Sequence, residues 1–285
     1  MTLGILGGSG LYDLEGLDRP EWRPVTTPFG DPSDDLLFAS LDGRDVVFLP
    51  RHARGHRILP HEINYRANIA ALKIAGCTEV LSVSACGSFR EELAPGDFLL
   101  VDQYIDRTRS RIRTFFGEGI AAHISLADPS CGSLRQLVAD AAASADVPVR
   151  NGGTYLAMEG PQFSTRAESR LYRGAGLDVI GMTAMPEAAL AREAELCYAT
   201  LAMVTDWDSW RDEERGAETA DILAVMHSNV GRARAIVTAL LTMPEPPPCE
   251  EGCRTALDHA IITPPDLRPQ MTVDRLMPIA GRVLS

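Results

Sequence analysis

Two carboxylates two positions apart, Asp206 and Asp208, flank Trp207 directly after the apolar run from Tyr198 to Val204. At a strand end such a pair is either a solvated loop or a paired acid site. In the second case a carboxyl beside another carboxylate in a partly dry pocket keeps its proton to higher pH and serves as a general acid near neutrality. Three other segments suit an anion. Gly7-Gly8-Ser9-Gly10 follows an apolar strand, where glycines let amide groups approach closely and the Ser9 hydroxyl adds a donor. It lacks the third glycine and the following helix of a dinucleotide fingerprint, so a plain tight turn is the alternative. Arg51-His52, within Leu49 to Arg57, sets a planar guanidinium fork and an imidazole into an acidic chain; the competing reading is a solvated basic loop. Ser84-Ala85-Cys86-Gly87-Ser88 places small and hydroxyl residues past a third strand. His52, His56 and His61 raise a metal site, but no carboxylate or cysteine stands beside them at ligand spacing, so no metal is expected.

Positioning these groups requires strands that end on a common rim. The patterning predicts strands over Leu3–Leu6, Asp45–Leu49, Glu79–Val83, Phe98–Val101, Thr154–Met158, Asp178–Ile180 and Tyr198–Val204. Helices are predicted over Asn64–Ala75, Leu134–Ala145, Arg166–Arg173, Pro186–Leu196 and Thr219–Leu241, the last with Ile222, Leu223, Val225, Met226, Val230 and Ile236 toward one side. Strand-helix alternation implies an α/β fold with a largely buried parallel or mixed sheet. In such sheets ligands sit past the carboxyl ends of the strands, where Ser9, Arg51, His52 and Ser84 would converge as an anion pocket.

At 45% hydrophobic and 23% charged residues, the 285-residue chain has the composition of an ordinary globular protein. Its net charge of −12 argues against a general nucleic-acid binder, which needs a basic stripe. No uncharged apolar run approaches the roughly 18 to 20 residues of a membrane helix, and the N-terminus lacks the pattern of a signal segment. Six scattered cysteines are too few for a disulfide scaffold, so the cytoplasm is expected. Met243-Pro244-Glu245-Pro246-Pro247-Pro248 is stiff and extended. It divides a main domain, 1–243, from a tail, 244–285, with one short helical stretch near Thr255–Ala260. That tail has too little apolar material for a core of its own and is expected to pack on the main domain or a neighbouring subunit.

Taken in order, the motifs resemble the purine nucleoside phosphorylase superfamily, in the branch that acts on 5′-methylthioadenosine. The resemblance is carried by residues 7–10, Pro28-x-Gly30-x-Pro32, Arg51-His52, Asn64-Tyr65-Arg66-Ala67-Asn68, Ser84 to Ser88, Asp102-Gln103-Tyr104-Ile105-Asp106, Glu159 to Ser169, Met182-Thr183-x-x-Pro186-Glu187 and Thr205 to Asp208. It implies a distorted, barrel-like mixed sheet flanked by helices, a homotrimer with sites near subunit boundaries, and reversible phosphorolysis of an N-glycosidic bond in purine and methionine salvage. Inorganic phosphate is then a co-substrate and no cofactor is expected. By position, the resemblance assigns phosphate to Ser9, Arg51, His52, Ser84, Ala85 and Thr183. Met182 would lie against the ribose, Phe163 over the nucleoside, Ser164 near the base, and Asp206 and Asp208 at adenine. His123 would reach a neighbouring subunit's 5′ pocket, which Thr219 and Ile222 would line.

The chemistry these roles require is consistent. Bond cleavage develops oxocarbenium character at the sugar and negative charge on the base, so a held phosphate attacks C1′ while an acid protonates N7. Asp206 is the expected N7 donor, with Asp206 or Asp208 accepting from the exocyclic amine. Ser9 and Ser84 stand where many members of the family have Thr, which keeps the hydroxyl. Thr219 is more polar than the aliphatic residue expected at a methylthio group, so 5′-deoxyadenosine or another small 5′-substituted adenosine is also admitted. Some members pair closely spaced C-terminal cysteines as disulfides, which Cys249-x-x-x-Cys253 resembles, whereas Cys86 and Cys197 read as buried apolar residues. The alternatives are a nucleoside phosphorylase or nucleosidase of other specificity, and a noncatalytic nucleoside-binding protein.

Overall fold

The apolar segment Thr2–Gly7 forms β1, the strand around which the sheet is built, in a computed structural model that describes residues 2–8, 10–211, 219–245, 247 and 249–284. β1 runs parallel to β4 (Arg44–Pro50) on one side and to β5 (Cys77–Ser88) on the other. All three are covered on both faces, which is why their sequences read as continuous apolar runs instead of alternating ones. β5, at 12 residues, also carries β11 (Cys197–Asp206) in parallel along Glu79–Gly87 and β10 (Val179–Gly181) in antiparallel at its far end. A strand with three neighbours makes the sheet branch and curl. β6 (Phe98–Val101) pairs antiparallel with β11, with β8 (Val149–Asn151) beside it, and β9 (Thr154–Ala157) lies between β10 and β7 (Gln103–Asp106). The edge beyond β4 is the antiparallel pair β2 (Asp18–Arg23) and β3 (Leu36–Leu41). The expected fold class, a mixed α/β sheet flanked by helices, is the one observed.

Helices cover both faces. α1 (Tyr65–Ile74) starts at Asn64, whose side chain accepts from the Ala67 amide. With α4 (Ala184–Glu193) it packs Ile69, Leu72, Ala188 and Leu190 against Leu6, Leu49 and Val80. On the other face α2 (Gly132–Ser144) and α5 (Thr219–Thr242) bring Leu134, Val138, Ile236 and Leu240 onto Leu3, Ile5, Leu81 and Val83. α3 (Arg166–Gly174) buries only Ser169, and its Thr165–Glu168 capping box does more for it than packing.

Four strands were not anticipated: β2, β3, β7 and β8. β2 reads Asp-Arg-Pro-Glu-Trp-Arg and is almost wholly exposed, so no hydrophobic period marks it. The tail also differs from expectation. It has 3-10 turns at Cys253–Thr255 and Pro265–Leu267 and then a full helix, α6 (Gln270–Leu284), concealed in the sequence by Pro278 and Gly281. α6 tolerates them because Leu276, Ile279 and Ala280 are buried in the same cluster as α1. Among the described residues no helix is long and apolar enough to cross a membrane.

Candidate active site

Because β1, β4, β5 and β11 are parallel, their carboxyl ends open on one edge of the sheet, as the strand-loop pattern requires. β10 runs against β5, with Ile180 opposite Gly87, so the residues after it return to the same place. A cavity of about 680 Å³ lies there, and its wall includes Gly8, Arg51, His52, Ser84, Ala85, Phe163, Met182, Thr183, Asp206 and Asp208. One space therefore joins the basic loop to the acid pair.

The anion end is built from neutral donors. Ser84 Oγ lies 3.2 Å from Thr183 Oγ1 and 3.3 Å from the Tyr155 hydroxyl. Tyr155, fully buried on β9, was not singled out by its sequence setting; its hydroxyl needs Gly181, where an added Cβ would fall 1.9 Å away. The guanidinium of Arg51 is itself buried. Its Nε and Nη2 donate to the Glu187 carboxylate at 2.8 and 3.1 Å, and other donors reach the Val83 and Leu6 carbonyls and Ser82 Oγ. The pair is 2% and 1% exposed at its side chains, so Arg51 contributes to the cavity wall as half of an ion pair and not as a free fork. Motif reading named Glu187 only as part of a segment. Its role could have been suspected from a single acid set among the apolar residues from Ala184 to Ala191. His52 Nδ1 lies 2.8 Å from the Ile58 carbonyl, and burial pulls the ring down to about 4, so it is neutral near pH 7. With Nδ1 donating, Nε2 is left as an acceptor.

At the opposite end the chain turns sharply after β11. Asp208 has φ 51°, and its amide donates to Asp206 Oδ1 at 2.7 Å, while Thr205 Oγ1 donates to Asp206 Oδ2 at 2.8 Å. Burial pushes the Asp208 carboxyl above the usual carboxylate range, the nearby Asp206 charge adds to this, and the Ser169 and Ser164 hydroxyls oppose it. Asp208 Oδ2 is buried with no hydrogen-bond partner among the described residues. Burial favours a proton on Asp208 above the usual carboxylate range, while the Asp206 carboxyl beside it accepts from the Asp208 amide and the Thr205 hydroxyl.

Gly87 seats the pair: a Cβ there would lie 2.9 Å from Asp206 Oδ1 and 3.3 Å from Asp208 Cα. Gly87→Ala is expected to weaken binding of a ligand held by the acid pair at least ~10-fold, since a displaced pair costs about one lost charged hydrogen bond. Binding of an anion at the hydroxyl end should change little, and separate titrations of ligands for the two ends check both.

Arg111 was missed altogether. It is buried, and its Nη1 donates to the Tyr65 hydroxyl and to the Met182 and Met185 carbonyls, while Nη2 donates to the Glu159 carbonyl. It thereby ties two loops of the cavity rim together. No local motif could reveal it, because its partners are mostly backbone carbonyls distant in sequence.

Of the other expected residues, Phe163 is 43% exposed at the cavity mouth, and buried Ser164 sits behind the wall with its hydroxyl toward Met158 Sδ. His123 lies outside the cavity, exposed, its amide donating to the Ala260 carbonyl. Ser9 lies outside the described residues, as do the side chains of Thr219 and Ile222 at the start of α5. The apolar side of α5 divides in two: Ile236 enters the core, while Leu223, Met226 and Val230 line the cavity. Asn229 Nδ2 donates to the Val204 carbonyl and holds that helix against the end of β11.

The profile of the Phosphorylase superfamily matches residues 2–242. The S-methyl-5′-thioadenosine phosphorylase of Cereibacter sphaeroides is 54% identical over 284 residues, 99% of this chain and 98% of that protein. A methylthioadenosine phosphorylase crystal structure from an Antarctic soil metagenomic library is 42% identical with a TM-score of 0.90, covering 97% of this chain and 98% of that one. The methylthioadenosine phosphorylase of Schistosoma mansoni in complex with adenine is 36% identical with a TM-score of 0.86, over 92% of this chain and 99% of its own.

Proposed function

Since the chain belongs to the phosphorylase superfamily, we propose that it catalyses reversible phosphorolysis of 5′-methylthioadenosine to adenine and 5-methylthioribose 1-phosphate. The observation that carries this reading is that a single cavity is lined by hydroxyl and imidazole groups at one end and by an acid pair, one member pushed up by burial, at the other. Phosphate would be held by Ser84, Thr183, the loop at Gly8 and Ser9, and His52, with Arg51 and Ala85 shaping the floor. The neutral His52 Nε2 can accept a hydrogen bond from the hydroxyl of monohydrogen phosphate, which leaves the unprotonated oxygens free to face C1′. Phosphate attacks C1′ and takes the glycosyl group; the bond electrons leave on N9 of adenine, and N7 takes a proton from the acid pair. We assign that donation to Asp206, beside the proton that burial favours on Asp208, with Asp206 or Asp208 accepting from the exocyclic amine. Met182 and Phe163 would cover the ribose and nucleoside, and Ser164 would support the base acids from behind.

We read 1–243 as the catalytic body and 244–285 as a tail folded onto it. The exposed position of His123, away from its own chain's cavity, supports a homotrimer in which it reaches a neighbour's 5′ pocket beside Thr219 and Ile222. No cofactor enters the scheme, and a cytoplasmic setting agrees with six free thiols.

Adenine release from a panel of 5′-modified adenosines, with and without phosphate and with inosine as control, tests the proposal. Release should require phosphate, be fastest for 5′-methylthioadenosine and be negligible for inosine. Phosphate-independent release would indicate a nucleosidase, equal use of inosine another specificity, and binding without turnover a noncatalytic protein.

A further inference from the structure

We infer that Cys131, Cys197, Cys249 and Cys253 form a site for one zinc ion that clasps the C-terminal tail to the body of the protein. The four Sγ atoms lie within 4.8 Å of one another, and three of the residues are buried. Cys131 and Cys249 Sγ are 3.6 Å apart. A tetrahedral Zn–S₄ centre with bonds of ~2.3 Å has S···S edges of about 3.8 Å, whereas a disulfide requires about 2.05 Å. All six cysteines are free thiols, Cys249 and Cys253 included.

The ligands come from three separate places. Cys131 is the N-cap of α2, Cys197 the first residue of β11, and Cys249-x-x-x-Cys253 leads the tail into its 3-10 turn. That last spacing falls within the C-x₂₋₄-C range of structural zinc sites. The surroundings suit thiolates. The Leu134 amide donates to Cys131 Sγ and the Glu251 amide to Cys249 Sγ, both at 3.4 Å, and Arg192 Nη1 donates to Cys253 Sγ at 3.2 Å. Zinc binding exchanges four thiol protons, released to solvent, for one divalent cation, and leaves a centre of charge −2 beside the Arg192 guanidinium. No oxidant is involved.

Four protein sulfurs close the coordination sphere, which marks the site as structural. It is also remote from the cavity. β11 runs from Cys197 at the cluster to Asp206 at the acid pair, a span of about 30 Å at ~3.3 Å per residue. The expectation of no metal came from the histidines; the thiols escaped it because Cys131 and Cys249 are 118 positions apart.

Full-length protein purified without a polyhistidine tag or chelator should carry about one zinc per chain by elemental analysis. Cys249→Ser and Cys253→Ser should lose it while phosphate-dependent adenine release persists. Cobalt(II) in its place should give the intense visible bands of a tetrahedral thiolate centre. If either variant does not fold, titration of the native protein with a mercurial should release one zinc as these four thiols are modified. The inference is overturned if protein from zinc-supplemented medium holds less than about a tenth of an equivalent. Mass spectrometry showing the four cysteines paired as disulfides, or full zinc retention by folded Cys253→Ser, would overturn it equally.

Discussion

Glu187→Ala is expected to destabilise the protein by about 3 to 5 kcal/mol, among the largest single-residue effects in the molecule. The Glu187 carboxylate accepts from Arg51 twice and from the Tyr198 hydroxyl at 2.8 Å, all in a fully buried setting. Its removal strands a guanidinium whose side chain is only 2% exposed and leaves a phenol without its acceptor. Because Arg51 also binds the Leu6 and Val83 carbonyls, it connects the ends of β1, β4 and β5 where the cavity begins. The variant should therefore lose phosphate affinity along with stability. Glu187→Gln, which keeps an acceptor oxygen but not the charge, should fall between the two. Urea unfolding monitored by fluorescence gives the difference; a loss below about 1 kcal/mol would mean that solvent reaches Arg51 and that the pair is not a structural tie.

Asp206→Asn is expected to lower kcat on 5′-methylthioadenosine by ~10²- to 10⁴-fold, the usual worth of a general acid, with a smaller change in KM. An amide donates where the carboxylate accepts, so the base preference should shift toward 6-oxopurines. The pH dependence has a defined sign. Asp208 is pushed up by burial, so the pair keeps its proton above the ordinary carboxylate range, and phosphorolysis should decline as rising pH removes it. In Asp206→Asn that alkaline limb should move or disappear. Should Asp208→Asn alone abolish turnover while Asp206→Asn retains full activity and unchanged base preference, the proton donor is Asp208 and the assignment above is wrong.

Composition and patterning alone carried the α/β class, the strands at Leu3–Leu6, Glu79–Val83 and Tyr198–Val204, and the segments that border the cavity, because buried parallel strands and the loops past them are local in sequence. Exposed β2 and the Pro-containing α6 were illegible for the opposite reason: their stability comes from neighbours and not from their own period. The same division runs through the site. Residue types and spacing determined which groups could bind an anion or move a proton. Tertiary structure decided that Glu187 neutralises Arg51, that Tyr155 joins Ser84 and Thr183, that Asp208 is the acid burial pushes up, and that four cysteines meet. Charge pairing, desolvation and metal ligation depend on distances through space, and the curled sheet sets those distances by bringing together residues far apart along the chain.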